Sequence, residues 1–194
     1  MDKLFYKIVK PITSFLFKIL FRPTIKGIYN IPNDASCVLA GNHTKWLDPI
    51  MLVAISKRQV HFLAKKSLFK GPIGLIVKGM GAIPVDRSIH DKNALNNAIN
   101  ELNNNCVIGI FPEGTINKGN NLTLPFKIGA VKMAHDTNSY LVPFIITGKY
   151  KLFRKKITIE FLPKRKISSN LTLENEKLEK TVASKIGEYK NGSI

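Results

Sequence analysis

"SCVLAGNHTKWLDPI", residues 36–50, joins two kinds of local structure across a polar break. The run Ser36–Gly41 is apolar and carries Val and Leu, as a buried strand does, and it stops abruptly at Asn42 and His43. Asp48 and Pro49 then open a helical pattern, since an acidic residue and a proline both suit a first helical turn. Strand, polar loop and helix in that order form the start of a βα unit. Further Val- and Ile-rich runs at 81–86, 106–111, 140–146 and 156–162 read as strands. Helical patterns cover about 49–57, 65–78, 91–103, 126–136 and 171–189, with Ser88 or Asp91 available to cap the third. Strands alternating with helices predict an α/β fold, a largely parallel mixed sheet flanked by helices on both faces.

In such sheets chemistry collects beyond the carboxyl ends of strands. Three loops qualify: "NHTKWLD" after the 36–42 run, "DRS" after 81–86 and "PEGT" after 106–111. His43 and Asp48 stand five positions apart in the first. A histidine works as a base near neutral pH when a carboxylate holds one ring nitrogen and the other faces the proton to be removed. By itself the pair admits three readings: catalytic dyad, part of a metal site, or a histidine followed by a chance aspartate. Zinc needs three or four ligands, and His61, His90 and His135 show no paired spacing, so they read as surface or core residues and no metal set is expected. No GxSxG motif supplies a nucleophile, which directs a His43 base toward a substrate hydroxyl or water.

The 194 residues suffice for one core, and no linker divides them. A short N-terminal segment, residues 1–25, precedes a single domain over 26–194. Lys and Arg number 30 against 13 Asp and Glu, a formal net charge of +17. Such a surface calls for anionic company: nucleic acid, an anionic lipid surface, or a phosphorylated or acidic-carrier-bound substrate, over a background of lysine- and asparagine-rich composition. Cys37 and Cys106 lie in apolar runs and read as buried reduced thiols. In "MDKLFYKIVKPITSFLFKILFRP", Lys3, Lys7, Lys10 and Lys18 share one helical face while Leu4, Ile8, Ile12, Phe15, Leu16 and Ile19 share the other, with a kink expected at Pro11. Lysines interrupt the apolar runs too early for a spanning helix or a signal peptide. The segment is expected to lie in a membrane interface or to pack on the domain's own core.

Taken in order, "NHTKWLDP" (42–49), "GAIPVDR" (81–87), "FPEGT" (111–115), "FKIGAVKMA" (126–134) and "VPFIITG" (142–148) resemble the blocks of the phospholipid and glycerol acyltransferase family, lysophosphatidate acyltransferases in particular. The resemblance implies that His43 is the base and Asp48 its orienting carboxylate. It further implies that Arg87 and Lys127 hold the acceptor's phosphate, that Glu113 positions the glycerol, that Gly114 permits a tight turn and that Thr115 lines the site; the turn chemistry around Gly114 makes backbone N–H groups there candidates to face an oxyanion. Implied partners are lysophosphatidic acid, acyl-CoA or acyl carrier protein as co-substrate, and an anionic membrane surface at the cytoplasmic face, without cofactor, metal or nucleic acid. Thr44 stands where the family often has Ser, and Ile116 where it often has Arg or a small polar residue, which shifts phosphate holding toward Arg87 and the lysines. A different acceptor, glycerol phosphate or another lysolipid, would use the same base. A hydrolase would turn it on water, and a non-enzymatic nucleic-acid binder would explain the charge alone.

Overall fold

The computed structural model describes residues 3–86, 89 and 91–192, the side chains of residues 3–5, 72 and 73 excepted. Seven strands form one sheet: β1 (Thr24–Lys26), β2 (Cys37–Gly41), β3 (Val60–Lys65), β4 (Ile83–Val85), β5 (Val107–Ile110), β6 (Tyr140–Gly148) and β7 (Ile157–Phe161). Six α-helices accompany them: α1 (Lys3–Phe21), α2 (Asp48–Ile55), α3 (Gly71–Gly79), α4 (Lys92–Asn103), α5 (Gly129–Asp136) and α6 (Leu171–Lys190). The sheet order is β1-β7-β6-β2-β5-β3-β4. The five strands from β6 to β4 run parallel, β7 runs antiparallel to β6, and β1 follows β7. The predicted mixed sheet is therefore present.

Period-two alternation divides the apolar residues between two cores. Cys37, Leu39, Val60, Phe62, Val107, Val142 and Phe144 face α1 and α2, whereas Val38, Ala40, Ile83, Ile108, Leu141 and Ile145 face α4, α5 and α6. Central parallel strands buried on both faces read as continuous hydrophobic runs, which is why these were visible in the sequence.

Two strands were not. β1 is three residues long and lies at the sheet edge, too short for a periodic signal. β3 hides in "VHFLAKKSLF", whose helical reading over 65–78 the structure replaces with the end of β3, a 3₁₀ turn (Lys66–Phe69) and α3. Gly71, the first residue of α3, has φ +65° and marks the break. The helix expected from 126 begins only at Gly129; before it, the backbone N–H groups of Phe126 and Lys127 donate to Glu179 Oε2 and the Pro112 carbonyl. Cys37 is buried as expected, but Cys106 is only half-buried, at the rim where α4 hands over to β5.

α1 passes through Pro11 as one helix. Tyr6 and Phe17 are buried in the core against α2 and its neighbours, while the predicted apolar stripe of Ile8, Ile12, Phe15, Leu16 and Ile19 points outward, 46–65% exposed. No described helix is long and apolar enough to cross a membrane.

The close pairing of β2 with β6 makes a stability prediction. A Cβ at Gly41 would meet the Phe144 carbonyl oxygen at 2.2 Å and its ring at 2.6 Å. Relief would require the backbone to move, so Gly41→Ala is expected to cost about 3 kcal/mol, the upper end for overpacking. At about 2–4 °C per kcal/mol for a chain of this size, thermal unfolding should begin about 6–12 °C earlier. An unchanged melting temperature would mean that β2 and β6 are not packed so closely.

Candidate active site

β2 continues into α2 on one face of the sheet, while its neighbour β5 continues toward α5 on the opposite face. Connections thus diverge between adjacent parallel strands, and the loops beyond their carboxyl ends open a crevice. His43 leaves β2 there and Glu113 leaves β5. The Asn42 side chain anchors the first loop by continuing the ladder, donating from Nδ2 to the Ile146 carbonyl and accepting the Ile146 N–H, both at 2.8 Å.

His43 is held at every polar group but one. Its backbone N–H donates to Glu113 Oε1 at 2.7 Å, and its carbonyl accepts from the Asn117 N–H at 2.8 Å. Its ring stacks on Phe111, centroids 4.1 Å apart and planes 17° from parallel. Nδ1 lies 2.9 Å from Asp48 Oδ2. An ionised carboxylate only accepts, so Nδ1 carries the proton and Nε2 presents a lone pair. Among the described residues, Nε2 has no hydrogen-bond partner.

Asp48 is the first residue of α2 and is 0% exposed. Besides His43, its Oδ2 accepts the N–H groups of Thr44 at 2.6 Å and Lys45 at 2.8 Å. Its Oδ1 accepts the hydroxyls of Thr44 at 3.1 Å and Tyr150 at 2.6 Å. A buried charge stands only when its lone pairs are filled, and five donor groups fill these. The α2 N-terminus adds its positive dipole end. Thr44 thus keeps the hydroxyl function that the resemblance assigns to Ser there.

Tyr150 escaped the sequence reading. It lies more than a hundred residues from Asp48, in a basic loop without a motif, and only the return of the chain after β6 reveals it. Burial, then the Asp48 charge and their hydrogen bond, raise its pKa well above the ordinary phenol value, so it remains a donor across the neutral range. Tyr150 also meets the rings of Phe17 and Phe21 edge-on at 6.3 and 5.5 Å, which links α1 to the carboxylate. Tyr150→Phe is expected to lower stability by about 1.5–3 kcal/mol, the range for a hydrogen bond to a charged group. Any activity should fall while the fold persists; full activity and an unshifted melting curve would show the hydroxyl to be idle.

Glu113 is buried, and its two oxygens accept the backbone N–H groups of His43 and Leu124. Burial raises its pKa, while those two N–H groups pull it back. The carboxylate is a clamp between the 42–48 loop and the 112–126 segment, a role the resemblance did not supply. Gly114 follows at φ +71°, in the left-handed region that favours glycine. A Cβ there would stand 3.1 Å from Lys127 Cε and Nζ, so the exposed Lys127 side chain lies across the turn. Thr115 is exposed beside it. Arg87 lies outside the described residues; Asp91, which caps α4 through Ala94, also accepts the Asp86 N–H at 2.8 Å and so fixes the exit of β4.

An imidazole oriented by a buried carboxylate, with Lys127 across the neighbouring turn, is an arrangement that can accept a proton. The chain belongs to the acyltransferase family, whose model matches residues 22–147. It is 37% identical to a 1-acyl-sn-glycerol-3-phosphate acyltransferase of Bacillus subtilis (strain 168), over 65% of this chain and 64% of that one. A protein of the same name from Streptococcus pneumoniae is 28% identical over 95% of this chain and 71% of its own length. The crystal structure of the 1-acyl-sn-glycerophosphate (LPA) acyltransferase from Thermotoga maritima shares the fold, with a TM-score of 0.74 at 24% identity, covering 97% of this chain and 79% of that one. The chain spans slightly under two thirds of the Bacillus relative's length.

Proposed function

We propose that this protein moves a fatty acyl group from an acyl-CoA or acyl carrier protein thioester to the free hydroxyl of lysophosphatidic acid, forming phosphatidic acid at the cytoplasmic face of the cell membrane. The observation that carries the reading is the His43 imidazole, fixed by Asp48 at 2.9 Å with Nε2 unengaged at the strand ends. Nε2 takes the hydroxyl proton as the oxygen attacks the thioester carbonyl. The tetrahedral oxyanion collapses, the carbon–sulfur bond breaks, and the imidazolium returns its proton to the departing thiolate. Asp48 stabilises the transient imidazolium without itself taking the proton. Arg87 and Lys127 grip the acceptor's phosphate, with the fork of Arg87 suited to its oxygens. The Gly114 N–H is taken by the Phe111 carbonyl at 3.0 Å, so the oxyanion falls to other donors of the same turn, while Thr115 lines the acceptor's approach and Glu113 positions the glycerol by holding the loops that surround it.

Both substrates are anionic, which suits a net charge of +17 over a lysine-rich background. Support for a docking face comes from the outward stripe of α1 together with Leu152 and Phe153, both exposed, whose loop is tied to α1 by the Phe153 N–H and the Leu20 carbonyl. Lys149, Lys151, Arg154, Lys155 and Lys156 in that loop are exposed as well. Apolar side chains enter the acyl boundary while lysines meet anionic headgroups.

The reading is tested with purified protein, both thioesters and a set of lysolipids, products identified by mass. Phosphatidic acid from lysophosphatidic acid is expected; acylation of another acceptor alone, or release of free fatty acid without an acceptor, would overturn it. Because Phe17 and Phe21 support Tyr150, docking is better tested by replacing Ile12, Phe15 and Ile19 with Ser than by truncation. Vesicles of anionic phospholipid should sediment the parent protein and lose the triple variant; equal sedimentation would reject the α1 face.

A further inference from the structure

The opposite end of the sheet gathers a second set of chemical groups. His61 is the second residue of β3 and pairs in register with Ile108 of β5. Ile108 faces α4, and alternation along the extended chain puts Cys106, two residues earlier, on that side too. Glu101 is in the last turn of α4. One ring nitrogen of His61, one carboxylate oxygen of Glu101 and the Cys106 sulfur lie within 4.8 Å of one another.

Three details distinguish the cluster from chance polar contact. His61 is 2% exposed, and its Nδ1 lies 2.9 Å from the Gly81 carbonyl, so Nδ1 holds the proton and Nε2 is left as a lone-pair donor. Metal-binding histidines are oriented by such a bond from the other nitrogen to a carbonyl or carboxylate. Among the described residues, no hydrogen bond or ion pair joins His61 to Glu101, although their ligand atoms are so close. The Cys106 sulfur is 3.6 Å from the Asn104 carbonyl, a weak contact that a thiolate would release. The site adjoins a cavity of about 710 Å³ bounded by α3, β4 and α4, which Glu101 and Gly81 line.

We propose that His61, Glu101 and Cys106 bind a divalent cation of the zinc type, with water in the fourth position. Nitrogen, oxygen and sulfur donors together suit Zn²⁺ and not the oxygen-seeking Mg²⁺. Ligand bonds of about 2.0–2.3 Å in a tetrahedron place the donors roughly 3.3–3.8 Å apart, so side chains need to close by about 1 Å. Binding expels the Cys106 thiol proton and forms a sulfur–metal bond without any change of oxidation state. Thiolate and carboxylate together balance the ion's two charges, which matters in a chain this basic. The ion ties α4 to β3 and β5 at the amino ends of the strands, away from His43, as a structural clip. The sequence conceals the set because His61 lies about 40 residues before Glu101 and Cys106, with no repeated spacing.

The experiment uses the full chain without a histidine tag, reduced, stripped with chelator and dialysed, and titrated with Co²⁺ as a coloured substitute. A single equivalent should give intense visible bands of tetrahedral cobalt and a near-ultraviolet thiolate-to-metal band, both displaced by Zn²⁺ and unaffected by Mg²⁺. Zn²⁺ should also raise the melting temperature. Cys106→Ser should abolish the thiolate band and weaken binding more than about 100-fold, beyond the cost of losing an outer partner. Glu101→Gln should weaken binding, a neutral amide oxygen replacing the carboxylate, and retain the band. Cys37→Ala should retain it as well, since burial pushes the Cys37 thiol up to about 12 and keeps it protonated. A parent protein with no thiolate band and no thermal shift, or a Cys106→Ser variant that keeps the band, would overturn the assignment.

Discussion

Acyl transfer by a His43→Ala variant should fall about 10²–10⁴-fold, the contribution of a positioned general base. Melting temperature should change little. The imidazole packs on Phe111, and its one side-chain hydrogen bond goes to a carboxylate that keeps four other donor groups. Both backbone groups of His43, which bond Glu113 and Asn117, survive the substitution. Residual activity near the parent's would leave Nε2 without a role. A large loss of folded protein would instead give the ring a structural one.

Asp48 should behave differently, and two substitutions separate its duties. Asp48→Ala removes the acceptor for the Thr44 and Lys45 N–H groups and the Tyr150 hydroxyl, all in a place without solvent access. Breaking a buried, hydrogen-bonded charge costs about 3–5 kcal/mol, so a melting temperature lower by about 6–20 °C is expected together with lost activity. From the sequence alone this variant is expected to fold normally; the donor groups around the carboxylate change that expectation. Asp48→Asn keeps the shape and one acceptor oxygen, but cannot hold Nδ1–H through a charge. In hydrolase triads the equivalent exchange costs about 10⁴ in rate by stabilising the wrong tautomer. Asp48→Asn should therefore lose most activity while retaining more stability than Asp48→Ala. Equal melting temperatures for the two would show that the surrounding donors do not depend on Asp48.

What the sequence exposed and what it hid divide along physical lines. Parallel strands buried on both faces, such as β2, β5 and β6, write continuous apolar runs, and the polar residues that interrupt those runs mark the crevice. His43 and Asp48 are five positions apart, so one local turn brings them together, and their pairing was legible before any fold. Glu113 was visible as part of "FPEGT", but its hold on the His43 and Leu124 N–H groups depends on β5 lying beside β2. Tyr150 was hidden because its partner is distant in sequence and a single aromatic in a lysine-rich loop carries no periodic signal. α1 shows the limit of amphipathic reading: its apolar stripe was identified, yet the side packed against the domain is the one holding Tyr6 and Phe17. Hydrophobic residues on both sides of one helix allow packing inward and docking outward together, where the sequence offered the two as alternatives.

The central claim is that His43 and Asp48 act as one unit on the acceptor's proton. A double-mutant cycle in kcat tests it most directly, with His43→Ala, Asp48→Asn and the two combined, each verified as folded. If the carboxylate works only through the imidazole, the combined variant should be no slower than His43→Ala alone. Losses that multiply, or a His43→Ala enzyme that Asp48→Asn slows by a further hundredfold, would contradict it.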